Sequence, residues 1–72
     1  MADIKYDITE RIAVLSESGN WTKELNKVSW NGREAKYDLR AWNHEEGKMR
    51  KGITLSDEEL KNLGKVLAQI EI

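Results

Sequence analysis

Three tryptophans, Trp21, Trp30 and Trp42, stand in a stretch that holds eight of the chain's twelve Lys and Arg residues. Lys23, Lys27, Arg33, Lys36, Arg40, Lys48, Arg50 and Lys51 face five acids between residues 21 and 52, a local charge of +3. Residues 1–20 and 53–72 carry −2 each, so a chain of net charge −1 is basic in its middle and acidic at its ends. Indole rings interleaved with cations suit unpaired nucleic acid, because rings stack on bases while ammonium and guanidinium groups follow phosphates. A duplex hides its base faces, so stacking selects single strands. Trp and Arg also dominate protein–protein hot spots, which makes a protein-interaction module the alternative reading. Nothing in these residues reads a 2′-hydroxyl, so single-stranded RNA stands beside single-stranded DNA as a partner.

Catalysis has little to work with. The chain has no cysteine and a single histidine, His44, placed in a turn beside Glu45 and Glu46. A turn histidine without a nucleophile reads as structurally neutral, and neither a Gly-x-Ser-x-Gly elbow, a phosphate loop nor a His-Glu-x-x-His pair occurs. Two adjacent acids in a loop do not make a cation cage. No catalytic residue, metal or cofactor is assigned, and an enzyme is not expected.

The elements that must carry these residues follow from periodicity. Ile4 to Ser16 alternates Ile4, Tyr6, Ile8, Ile12 and Val14 against polar residues, with Glu10 interrupting the apolar row at an expected bulge or bend. A turn through Ser18, Gly19 and Asn20 leads into a second strand, Trp21 to Trp30. Asn31-Gly32 is a strong type I′ hairpin signal, since both residues tolerate positive φ. A two-residue loop there pairs Trp30 with Arg33, Ser29 with Glu34, Lys27 with Lys36, Leu25 with Asp38, Lys23 with Arg40 and Trp21 with Trp42. That register collects Trp21, Lys23, Lys27, Lys36, Arg40 and Trp42 on one open face. It leaves Val28, Ala35, Tyr37 and Leu39 toward the core, and Trp30 shares that core parity. Like charges opposed across a ladder are unfavourable, so Lys27 against Lys36 and Lys23 against Arg40 imply an anionic ligand.

"NHEEGK" closes a third turn, and "KMRKGITL" makes a short fourth strand in which Gly52 marks a bend or a close backbone approach. "LSDEELKNLGKVLAQI" reads as a helix: Ser56 caps it, Glu59 completes a capping box, and Leu60, Leu63, Val66, Leu67 and Ile70 form an apolar face. The fold class is α+β, an antiparallel β-β-β-β-α domain spanning residues 1–72. A core this small yields only about 3–5 kcal/mol, and without disulfides or a metal the expected supplement is a homodimer. No run reaches membrane-spanning length and no signal peptide is visible, so a cytoplasmic location without membrane contact is expected.

"WNGREAKYDLRAW" followed by "RKGITLSDEEL", with "VLSESGNW" and "KELNKVSWNGR", resembles the transcriptional positive cofactor four (p15) coactivator family, in particular its small bacterial YdbC-type branch. The resemblance implies a homodimer joined through the C-terminal helices, with curved sheets binding single-stranded DNA with little sequence preference. It places Trp30, Arg33 and Trp42 on the ligand surface and matches Arg50-Lys51 to the family's basic pair. The expected DNA-binding set is Trp21, Lys23, Lys27, Trp30, Arg33, Lys36, Arg40, Trp42, Lys48, Arg50 and Lys51, in transcription or in DNA repair or replication.

Overall fold

A computed structural model describes residues 4–72. Its elements are β1 (Tyr6–Ser18), β2 (Trp21–Trp30), β3 (Lys36–Asn43), β4 (Lys48–Met49), β5 (Ile53–Leu55) and α1 (Asp57–Leu67). The strands form one antiparallel sheet in the order β1-β2-β3-β4, with β5 also paired to β3. The expected fourth strand is thus two short ones. Gly52 separates them because its backbone lies against Leu39 O and Arg40 Cβ, leaving no room for a side chain.

β1 is longer than its partner and takes up the excess in three irregularities, between Ile8 and Glu10, Arg11 and Ala13, and Val14 and Ser16. The first sits where Glu10 interrupts the apolar row. Each extra residue adds local twist, so β1 bends along β2.

The hairpin between β2 and β3 corrects the expected register. Asn31 and Gly32 do adopt positive φ, 53° and 76°, and Arg33 N–H donates to Trp30 C=O at 3.0 Å. The type I′ turn forms. Beyond it the ladder resumes only at Val28 opposite Lys36, so Glu34 and Ala35 stand against the single residue Ser29. This one-residue bulge exchanges the faces, because side chains alternate with period two. Leu25 now faces Leu39, Lys27 faces Tyr37, Lys23 faces Ala41 and Thr22 faces Trp42. Both like-charge oppositions disappear, and Glu24 opposes Arg40 instead. Asn31 also ties the turn to the start of β1, donating from its N–H to Lys5 C=O at 2.7 Å and accepting from Lys5 N–H at 3.2 Å.

Helix α1 is fixed at its start by the expected capping box: Ser56 Oγ accepts from Glu59 N–H at 3.1 Å, and the Glu59 carboxylate accepts from Ser56 N–H at 2.8 Å. Hydrogen bonding to the Ser56 backbone and then to its side chain lowers the Glu59 pKa. The helix lies against β3 and β5, facing Leu25 and Leu39 across an apolar groove, and buries none of its own residues. The better-buried face of the sheet is the other one. It carries Val28 and Trp42 together with Glu24, Asn26 and Asp38. Val28 is buried as expected, but β3 is turned over relative to it: Leu39 and Tyr37 lie on the other face, and Trp42, expected on the open face, joins Val28 in the core. Among the described residues no helix is long and apolar enough to cross a membrane.

Candidate nucleic-acid interface

On the face away from α1, alternation brings four rings together. Tyr6 enters opposite Trp30 at the start of β1. Trp42 reaches the same side from the end of β3, and His44 follows in the next turn. Ring centroids lie 5.1 Å apart for Tyr6–Trp42, 6.0 Å for Tyr6–Trp30, 6.4 Å for Trp30–Trp42 and 5.8 Å for Trp42–His44. The last two pairs are nearly parallel, at 11° and 5°. These separations fall in the range where aromatic contacts contribute beyond burial alone. Trp42 is 1% exposed, which corrects the expectation that it lies uncovered on an open face. Neighbouring rings cover it because the shifted register turns it toward β1. Neither Trp30 Nε1 nor Trp42 Nε1 has an acceptor among the described residues.

Two buried acids organise the surroundings of this cluster. Asp38 is fully buried and accepts from Arg40 Nε at 2.6 Å, Arg40 Nη2 at 2.7 Å and Thr54 Oγ1 at 3.2 Å. The same guanidinium lies over Trp30, 4.5 Å from the ring centroid. Arg40, expected to neutralise a phosphate, is already neutralised by Asp38. A buried charge that loses such a partner is costly, so this residue is committed to the fold.

Glu24 is the second acid. Its carboxylate accepts from Thr22 Oγ1, from Asn26 Nδ2 at 2.9 Å and from His44 Nε2 at 2.8 Å. Burial pushes the Glu24 pKa up, but hydrogen bonds from Asn26, Thr22 and His44 and the Coulombic attraction of His44 together outweigh it and lower the pKa. His44 is therefore not the structurally idle turn residue expected: it is pinned by Glu24 and stacked on Trp42.

The expected binding residues divide between two faces. Trp30, Lys36, Arg40 and Trp42 belong to the aromatic side, and Arg33 lies exposed in the adjoining turn. Trp21, Lys23 and Lys27 have the opposite parity. Lys27 Nζ sits 5.1 Å from the Tyr37 centroid, and the Arg50 guanidinium 4.4 Å from that of Trp21. Lys23, Arg50 and Lys51 line a hollow of about 400 Å³ floored by Leu15, Leu39 and Ala41. Lys48 is exposed, 3.7 Å from Glu46. The division follows from the bulge at Glu34-Ala35.

A family model described as Transcriptional Coactivator p15 (PC4) matches residues 18–66, which include all four strand segments after β1 and nearly all of α1. The chain belongs to the p15 (PC4) family. A Treponema pallidum protein, described as uncharacterized, is 44% identical over 71 residues, covering 97% of this chain and 84% of its own length.

As a p15 family member the chain has a sheet face richer in aromatic contacts than its tryptophans alone indicate. Tyr6 precedes the matched segment, and alternation marks it only as one apolar position of a strand. The signal for Glu24, Asn26 and Asp38 was their position inside strands, where polar side chains of alternating parity must find partners or water.

Proposed function

We propose that the protein is a homodimer that binds single-stranded DNA with little sequence preference. The observation that carries this reading is the aromatic cluster around Trp42; Arg33, in the turn after Trp30, and Lys36, of the same strand parity as Trp42, are exposed cations. Membership of a transcriptional coactivator family supports it. Bases stack at the cluster and phosphates follow the cations. Lys48 is a further exposed cation, while Trp21, Lys23, Lys27, Arg50 and Lys51 give the helix side a second basic surface along which a longer strand continues. Transcription, replication and repair are the processes that expose such strands.

The dimer rests on a separate feature. Leu15, Leu25 and Leu39 of the sheet and Leu60, Leu63, Gly64 and Leu67 of α1 line an apolar groove of about 260 Å³. Leu67 within it, Val66 in the same helix and Ile70 just beyond the helix end are half exposed. The same helix of a second copy supplies apolar side chains of the right spacing to cover that surface.

Titration of tryptophan fluorescence with matched single-stranded DNA, single-stranded RNA and duplex, at two salt concentrations, tests the function. Single-stranded DNA is expected to bind much more tightly than duplex, with log affinity falling against log salt by about 0.7 per phosphate contacted. Equal affinity for both forms would refute stacking. Weak salt dependence with capture of polypeptide would favour a protein-interaction module.

A further inference from the structure

We propose that Tyr6 and His44 are the rings that meet the bases, with Trp42 the buried keystone that holds them. The inference rests on the single-strand-binding reading above and assigns residues within that same surface. Stacking requires an accessible ring face. Trp42, at 1% exposed, has none to offer. Trp30 is half-buried and already carries the Arg40 guanidinium 4.5 Å from its centroid. The most exposed rings in contact with Trp42 are Tyr6, 38% exposed, and His44, whose side chain is 36% exposed.

Each is held from behind. Tyr6 lies in the β1–β2 ladder opposite Trp30, next to the clasp between Lys5 and Asn31. His44 is oriented by its Nε2 bond to buried Glu24 and lies within 5° of parallel to Trp42. A ring fixed in this way stacks on a base without first losing its own rotational freedom, which is the benefit of preorganisation. Glu24 and Trp42 are accordingly positioning residues. The ligand class is an unpaired nucleobase, of any sequence, since both rings offer a π face and every base can stack on one.

The full chain is compared with Tyr6→Leu, Tyr6→Phe, His44→Leu and His44→Phe. Circular dichroism and sedimentation check fold and assembly, and fluorescence anisotropy measures affinity for a labelled oligothymidine. Each leucine variant is expected to bind about 5- to 150-fold more weakly, the range for loss of one stacking partner, with the phenylalanine variants closer to the parent. A second measurement does not depend on how the variants fold: photocrosslinking of the unaltered chain to an oligonucleotide carrying 5-iodouracil, mapped by mass spectrometry. Crosslinks at Tyr6 or His44 are expected. Crosslinks confined to Trp30 and Trp42, or folded leucine variants with parental affinity, overturn the assignment. A parent chain that binds duplex as tightly as single strands refutes the proposed function itself; single-strand preference with indifferent leucine variants removes only the roles given to these two rings.

Discussion

Arg40 faces two ways at once: its guanidinium lies 4.5 Å from the centre of Trp30, and its Nε and Nη2 grip both oxygens of Asp38 at 2.6 and 2.7 Å. Its Nη1 reaches the Arg50 carbonyl at 3.5 Å, so one side chain joins the centre of β3 to the segment following β4. A cation so placed braces an aromatic surface.

Replacing Arg40 by alanine leaves the Asp38 carboxylate buried and unpaired, which costs about 3–5 kcal/mol. Urea denaturation is expected to show that loss directly. Lys36→Ala is the contrast, since Lys36 is exposed on the same face and makes no ion pair with a described residue. Its stability should stay within about 0.5 kcal/mol of the parent, while the salt slope for single-stranded DNA shrinks by about 0.7. A stable Arg40→Ala protein with a reduced salt slope would restore Arg40 to the phosphate contacts.

Trp42 obeys the same logic. Truncating a buried tryptophan to alanine costs about 3–5 kcal/mol, comparable to the whole stability expected of so small a core. Trp42→Ala is therefore expected to melt far below the parent or fail to fold, as followed by thermal circular dichroism. A fully folded Trp42→Ala protein with only its binding lost would show that the ring belongs to the ligand and not to the core.

Most of the architecture was legible in the residues. The strand Trp21–Trp30 ends where its alternation ends, the Asn31-Gly32 turn forms, and Ser56 and Glu59 close the helix as their spacing requires. The faces were not legible, because a single unpaired residue decides them. Asn31-Gly32 specifies the turn but says nothing about Glu34 and Ala35 opposing Ser29 a few residues later. The like-charge pairs Lys27–Lys36 and Lys23–Arg40 were the available clue. They indicated an unfavourable register, and a shift by one residue relieves it without any ligand. The roles of His44 and Tyr6 were hidden for a related reason: each depends on which side of the sheet Trp42 and Glu24 occupy.

Acid should expose the Glu24 network. The Glu24 pKa is lowered in the folded protein. A group of this kind contributes stability that is present above its unfolded pKa, near 4.5, and is lost as pH falls through the lower folded value. Stability measured by urea denaturation between pH 7 and pH 3 should therefore decline in the acid part of that range. Glu24→Gln should flatten the decline, since its side chain cannot titrate. An unchanged acid slope in Glu24→Gln would mean that other carboxylates set it.

Gly64 tests the dimer. A glycine inside a helix costs about 1 kcal/mol relative to alanine, and no atom outside its own helix lies within 4 Å of where its Cβ would sit, so packing within the protomer does not require it. Yet it lines the apolar groove between Leu60, Leu63 and Leu67. If a second helix packs there, glycine permits close approach of the two backbones, and a leucine must push them apart. Gly64→Leu is then expected to raise the dimer dissociation constant in sedimentation equilibrium. The helix within each protomer should remain intact, because leucine is the better helix former. Gly64→Ala separates the two effects: its helix gains propensity, while one added methyl disturbs the contact much less. Parental dimer affinity in Gly64→Leu would exclude helix pairing through this groove and leave the half-exposed Val66, Leu67 and Ile70 to be covered in another way.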